Sequence, residues 1–119
     1  MVRTMLIPQK LARLRQAREQ ILHEGQLQIS RGRYPEAEAI LNKGLADWRR
    51  EGGPKEEEHL FILPLGKSLE LQRKKVEAYE LYLKALNNLT GAAYDEVYDQ
   101  FLYLNQSMGA FDKKPDYGY

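Results

Sequence analysis

An internal repeat with a period of 41 residues limits what this chain can fold into more than any other feature. Placing residues 21–45 over residues 62–86 sets Ile21 on Ile62, Gly25 on Gly66, Glu36-Ala37 on Glu77-Ala78, Leu41 on Tyr82, Gly44 on Ala85 and Leu45 on Leu86. Small residues fall on small and large apolar residues on large, so the match preserves the properties that decide how helices pack. A fixed period of this length implies one supersecondary unit used twice, each copy burying its apolar face against its neighbour.

Within each unit apolar residues recur at three- and four-residue spacing, as in Ala37, Ile40, Leu41 and Leu45, or Ala78, Leu81, Tyr82, Ala85 and Leu86. That spacing predicts amphipathic helices. Breaks fall at residues 30–34, at Gly52-Gly53-Pro54, at residues 72–75 and at Thr90-Gly91. Pro35 suits the first helical position, Glu36 and Glu38 complement the positive start of a helix, and Arg49 and Arg50 its negative end. Five helices are expected, at about 8–30, 35–50, 58–72, 75–89 and 92–108, with Gly109 as the last stop signal. No useful strand alternation occurs, so the expected class is all-α, built from antiparallel helix-turn-helix repeats. One domain is expected over residues 1–110, with units at about 18–50 and 59–89 and a closing helix at about 92–108. Residues 111–119 lack periodicity and read as a flexible tail.

Composition narrows function. With 119 residues the chain is large enough for a real core. It has no cysteine, and its two histidines are isolated, which removes disulfides and thiolate chemistry and leaves little for zinc. No stretch approaches a membrane span, and Met1 to Ile7 is too short for a secretory signal, so the reading is soluble and cytoplasmic. The triplets Asn88-Leu89-Thr90 and Asn105-Gln106-Ser107 then read as chance matches to a glycosylation signal. The net charge of +1 hides a basic leading segment, +5 over residues 1–35, against −4 over the remainder. That asymmetry could steer an acidic partner or nucleic acid, although Lys10, Arg13, Arg15 and Arg18 form no continuous stripe and solvated helix faces explain them as well.

Gly25, Gly32, Tyr34, Ala37, Leu41 and Leu45 in the first unit, and Leu65, Gly66, Leu69, Ala78, Tyr82, Ala85 and Leu86 in the second, carry a family resemblance. The pattern resembles tetratricopeptide repeats, with Arg31-Gly32-Arg33-Tyr34-Pro35-Glu36-Ala37-Glu38 as its most specific part. The period is longer than the usual ~34 residues and is similar to the long repeats of kinesin light chains and some bacterial regulators. The second unit departs from the pattern. Arg73 and Lys75 stand where the first has Gly32 and Tyr34, which puts its inter-helix turn in doubt, and Pro64 must either open or kink its first helix. The third unit is one helix, read as a cap.

No catalytic constellation is present: no phosphate loop, no His-Glu-x-x-His and no Gly-x-Ser-x-Gly elbow. The chain is therefore not expected to be an enzyme, and no cofactor or metal is expected. The run Glu56-Glu57-Glu58 with His59 could suggest a metal cluster, but adjacent helical residues diverge and acidic residues are ordinary at a helix start. His23, beside Glu24, has nothing near it in sequence to build a triad. Tyr94, Val97, Tyr98, Phe101, Leu104 and Met108 make one helical stripe, to be packed as core or partly exposed as a contact surface. Leu102 and Tyr103 lie off the stripe and are candidates for an external aromatic contact.

The resemblance implies a recognition groove lined by the first helix of each pair. Its positions fall on Leu22, Gln26, Ile29 and Ser30, and on Leu63, Lys67, Glu70 and Leu71. This lining is not the strongly basic clamp that holds acidic C-terminal peptides in some members; only Lys67, with Arg33 or Arg73, could serve that way. The implied function is a non-catalytic protein-binding module, an adaptor, assembly factor or chaperone-like scaffold, holding a protein or peptide partner. Self-association is the alternative, because two units fall short of the three or more that usually bury a continuous core. Nucleic-acid binding through the basic first helix is weaker, since the balance is near neutral and that helix lacks aromatics.

Overall fold

The structure, a computed structural model, describes residues 7–108. The expected Gly109 stop, the tail at residues 111–119 and the segment before Ile7 lie outside the described residues. Five α-helices follow one another: α1 (Pro8–Ser30), α2 (Tyr34–Arg50), α3 (His59–Leu71), α4 (Lys75–Leu86) and α5 (Gly91–Ser107), with a 3-10 turn at Lys55–Glu57 before α3. The fold is all-α, with no strand among the described residues, and none of these helices is long and apolar enough to cross a membrane.

Two of the first three helix ends show why the 41-residue period works as a repeat. After α1, the Arg33 amide donates to Gln28 O at 2.8 Å and the Gly32 amide to Ile29 O at 3.0 Å. After α3, Lys74 donates to Leu69 O and Arg73 to Glu70 O, both at 2.9 Å. These are the paired bonds of a left-handed helix stop, and every donor and acceptor is displaced by the same period. Gly32 has φ 75° and Arg73 has φ 68°. The turn therefore does not change where Arg73 replaces glycine; the arginine is forced into the glycine conformation. A third stop of the same type ends α2, with Gly52 at φ 84° and the Gly53 amide on Trp48 O at 2.8 Å.

Pro64 lies inside α3 and does not start it. Its ring leaves the Leu60 carbonyl without the usual donor four residues on. Pro35 occupies the first turn of α2, which starts one residue earlier than expected. The fourth helix stops at Leu86 and not near residue 89. Asn87, Asn88 and Leu89 each bond back three residues, a tightening turn, and Leu89 is carried into the core.

Each helix packs on the next, and α1, α3 and α5 also touch in sequence, so the first helices of successive pairs lie side by side. The described chain measures 53 × 37 × 19 Å, a thickness that fits two layers of helices at the usual 8–10 Å spacing. The close approaches depend on glycine. A Cβ at Gly25 would stand 2.8 Å from Leu41 Cδ2, and one at Gly66 would stand 2.2 Å from Tyr82 Oη. The two glycines and their two bulky partners are the same pair of positions in successive units. Gly44 in α2 takes the converse role, receiving Ile21 of α1 and Phe61 of α3. Leu41, Trp48, Phe61, Ile62, Leu65, Tyr82, Val97 and Leu104 form a continuous core across the units.

Candidate functional site

On α1, Leu22 and Ile29 are half-buried while Gln26 and Ser30 are exposed; on α3, Leu63 and Glu70 are half-buried while Lys67 and Leu71 are exposed. These positions repeat at one helical face in each first helix. Leu22 and Leu63 rest on the core edge. Glu70 is held in place, because the Tyr82 hydroxyl donates to its Oε2 at 2.8 Å. Burial, followed by this bond to a carboxylate, pushes the Tyr82 hydroxyl well above the ordinary tyrosine range, so it stays protonated and donates to Glu70. Lys67, Gln26 and Ser30 are the polar groups that face outward. The Ser30 hydroxyl already donates to Leu27 O at 2.8 Å.

A concavity, which the repeat pattern did not indicate, runs between α2 and α4 over α3. Its two parts, both open to solvent, measure about 540 and 240 Å³ and share Asn42, Leu65, Leu81 and Lys84. Leu65 and Leu69 form its floor. Glu77 and Glu80 line one end, Lys55 and His59 line the other, and Lys84 stands where the two parts meet. Sequence signals for it exist in retrospect: Glu38, Asn42, Leu45 and Arg49 recur at helical spacing, as do Glu77, Leu81, Lys84 and Asn88.

The basic leading helix is drawn into the fold. Arg18 is 9% exposed; its Nη1 bonds Glu57 Oε1 at 2.7 Å, and its guanidinium lies 5.0 Å from the centre of the Trp48 ring. Arg15 donates its Nε to the same Glu57 oxygen at 3.0 Å and a second nitrogen to the other. The Arg15 bonds, and then Arg18, hold the Glu57 carboxyl below its usual range against the opposing effect of burial. Lys10 pairs with Glu51 at 3.4 Å. Of the four cations on α1, only Arg13 has no carboxylate partner among the described residues. The Trp48 indole donates to Pro54 O at 3.0 Å and its ring is covered by Gly53, so the Gly52-Gly53-Pro54 break is a packed corner.

The residues of the acidic run separate. Glu57 turns to Arg15 and Arg18, Glu58 accepts from Arg49, and the His59 ring nitrogens lie 3.0 Å from Glu56 O and 3.5 Å from Glu96 Oε1. His59 is itself one period after Arg18, and its ring lies 3.5 Å from the Glu96 carboxylate as the Arg18 guanidinium lies beside Glu57. Among the described residues no three His, Asp or Glu side chains converge as metal ligands. His23 is exposed on α1.

On α5, Val97 and Leu104 are buried, and Tyr94, Phe101 and Met108 pack on the core edge, with Phe101 5.0 Å from Tyr79. Most of the stripe is therefore core. Tyr98, stacked 5.7 Å from Tyr94, stays 38% exposed. Leu102 is 38% and Tyr103 67% exposed, so both project from the surface. No protein family, curated protein or solved structure matches the chain.

Proposed function

We propose that the chain is a non-catalytic protein-interaction module of tetratricopeptide-repeat type, which holds a partner segment on the face formed by α1 and α3. The observation that carries this reading is the duplicated close contact: Gly25 under Leu41, and Gly66 under Tyr82. It sets both helix pairs at the same approach and leaves α1 and α3 side by side, with Gln26 and Lys67 at matching exposed positions. An adaptor, assembly or chaperone-like role in the cytoplasm belongs to the same proposal. Replacing Gln26→Ala together with Lys67→Glu should weaken capture of partner proteins from the native host, read by mass spectrometry, with the circular dichroism unchanged. Equal capture by both proteins would reject the α1/α3 face.

A second reading, self-association through α5, is favoured by the exposed Tyr98, Leu102 and Tyr103. Light scattering over a concentration series distinguishes it; a monomer at high concentration removes it.

A further inference from the structure

We infer that the cleft between α2 and α4 binds an extended peptide with a cation at one end, aliphatic side chains in the middle and a carboxylate at the other. The cleft lies between the second helices of the two units, so the inference is independent of the α1/α3 reading. Its floor is apolar, with Leu65 and Leu69 buried beneath it and Leu81 half-buried on its wall. Its volume is in the range that encloses a small ligand or short peptide.

Charge sets the polarity of the occupant. Glu77 and Glu80 line one end, and no cation pairs with either among the described residues. Lys55 lines the other and Lys84 the junction of the two parts, each without a carboxylate partner among the described residues. The remaining charges along the walls are already engaged: Glu38 accepts from Gln72 at 2.9 Å and Lys74 at 3.3 Å, and Arg49 donates to Glu58 at 2.9 Å. The unpaired groups are thus segregated by sign along one channel, and an occupant of opposite polarity satisfies both ends. Along the walls, the exposed amides of Asn42, at the junction, and Asn88, in the Lys55 part, each offer a donor and an acceptor to a peptide backbone. The α2 wall from Glu38 to Arg49 spans about 16 Å, which matches roughly five residues of extended chain.

The probe is an end-blocked hexapeptide, Lys-Ser-Leu-Leu-Ser-Glu, titrated into the whole chain and followed by amide chemical shifts. The expected result is perturbation centred on Asn42, Leu81 and Lys84, with peptides carrying Lys at both ends or Glu at both ends about tenfold weaker, the loss of one favourable end. Lys55→Glu should shift the preference to the peptide with two lysines, and Glu80→Lys to the one with two glutamates. Lys67→Glu should change nothing. The inference is overturned by absent binding at millimolar peptide, by equal binding of all three peptides, or by perturbation confined to α1 and α3. Shifts at the same residues on concentrating the protein alone would assign the cleft to a second copy and overturn it as well.

Discussion

Tyr82 closes over Gly66 so tightly that a methyl group on the glycine would stand 2.2 Å from the phenol oxygen. The ring is fully buried and its hydroxyl is anchored on Glu70, and both restrain it from moving aside.

The corresponding contact in the first unit is looser, because Leu41 meets Gly25 with the ends of a flexible side chain. Gly66→Ala should therefore destabilise the fold by about 2 to 3 kcal/mol, the upper part of the overpacking range. Gly25→Ala should cost clearly less, because its methyl would stand 2.8 Å from Leu41 and not 2.2 Å from Tyr82; the better helix propensity of alanine, about 1 kcal/mol, acts equally at both sites. Urea denaturation of both variants checks the order; equal losses would mean that the Tyr82 ring yields.

Arg73 holds φ 68° with an exposed side chain that makes no hydrogen bond among the described residues. Arg73→Gly should stabilise the protein by about 1 kcal/mol, the cost of the left-handed conformation for a residue with a Cβ. Gly32→Ala should lose a similar amount, because the site around Gly32 is sterically open and only its backbone angle matters. A rise in melting temperature for the first and a fall for the second is the expected pair.

Glu57→Gln leaves the buried Arg18 guanidinium with a weaker partner and should cost about 2 kcal/mol near neutral pH. Its carboxyl is held below the ordinary value of 4.5 in the folded chain. The stability it contributes is thus present above that value and lost as pH falls through the lower folded value. The gap between wild type and variant should narrow over that interval. Asp47, held low by Lys43 and then Arg50, acts in the same direction in both proteins and cancels in the comparison. A gap that stays constant down to acid pH would contradict the Arg15–Glu57–Arg18 network.

Leu104 and Tyr103 are neighbours in sequence with opposite surroundings, 1% and 67% exposed. Leu104→Ala should cost about 2 to 5 kcal/mol through the cavity it leaves. Tyr103→Ser should stay within about 0.5 kcal/mol of wild type. Guanidinium unfolding followed by circular dichroism separates the two; a large loss at Tyr103 would mean that the residue is covered.

Helices and the pairing of equivalent positions were legible in the sequence because they rest on local periodicity and on side-chain size, and the repeat recorded both twice. Gly25 and Gly66, and Leu41 and Tyr82, align at the 41-residue period by side-chain size alone, and the class, the number of helices and most of their ends follow from the same periodicity. The surroundings of Arg73, Arg18 and Leu89 were not legible. The turn at Arg73 obeys hydrogen bonds that its neighbours make, and these override the residue's own preference. Arg18 reads as a surface cation, yet Glu57 and Trp48, each at least 30 residues away in sequence, make it a buried anchor. The cleft between α2 and α4 likewise depends on how far apart α3 holds the two helices, a distance set by packed side chains and absent from any periodicity. The sequence by itself determined a twice-used helix pair; the tertiary structure decided which charges are neutralised inside it and which remain to meet a partner, because pairing depends on separations that only the folded chain defines.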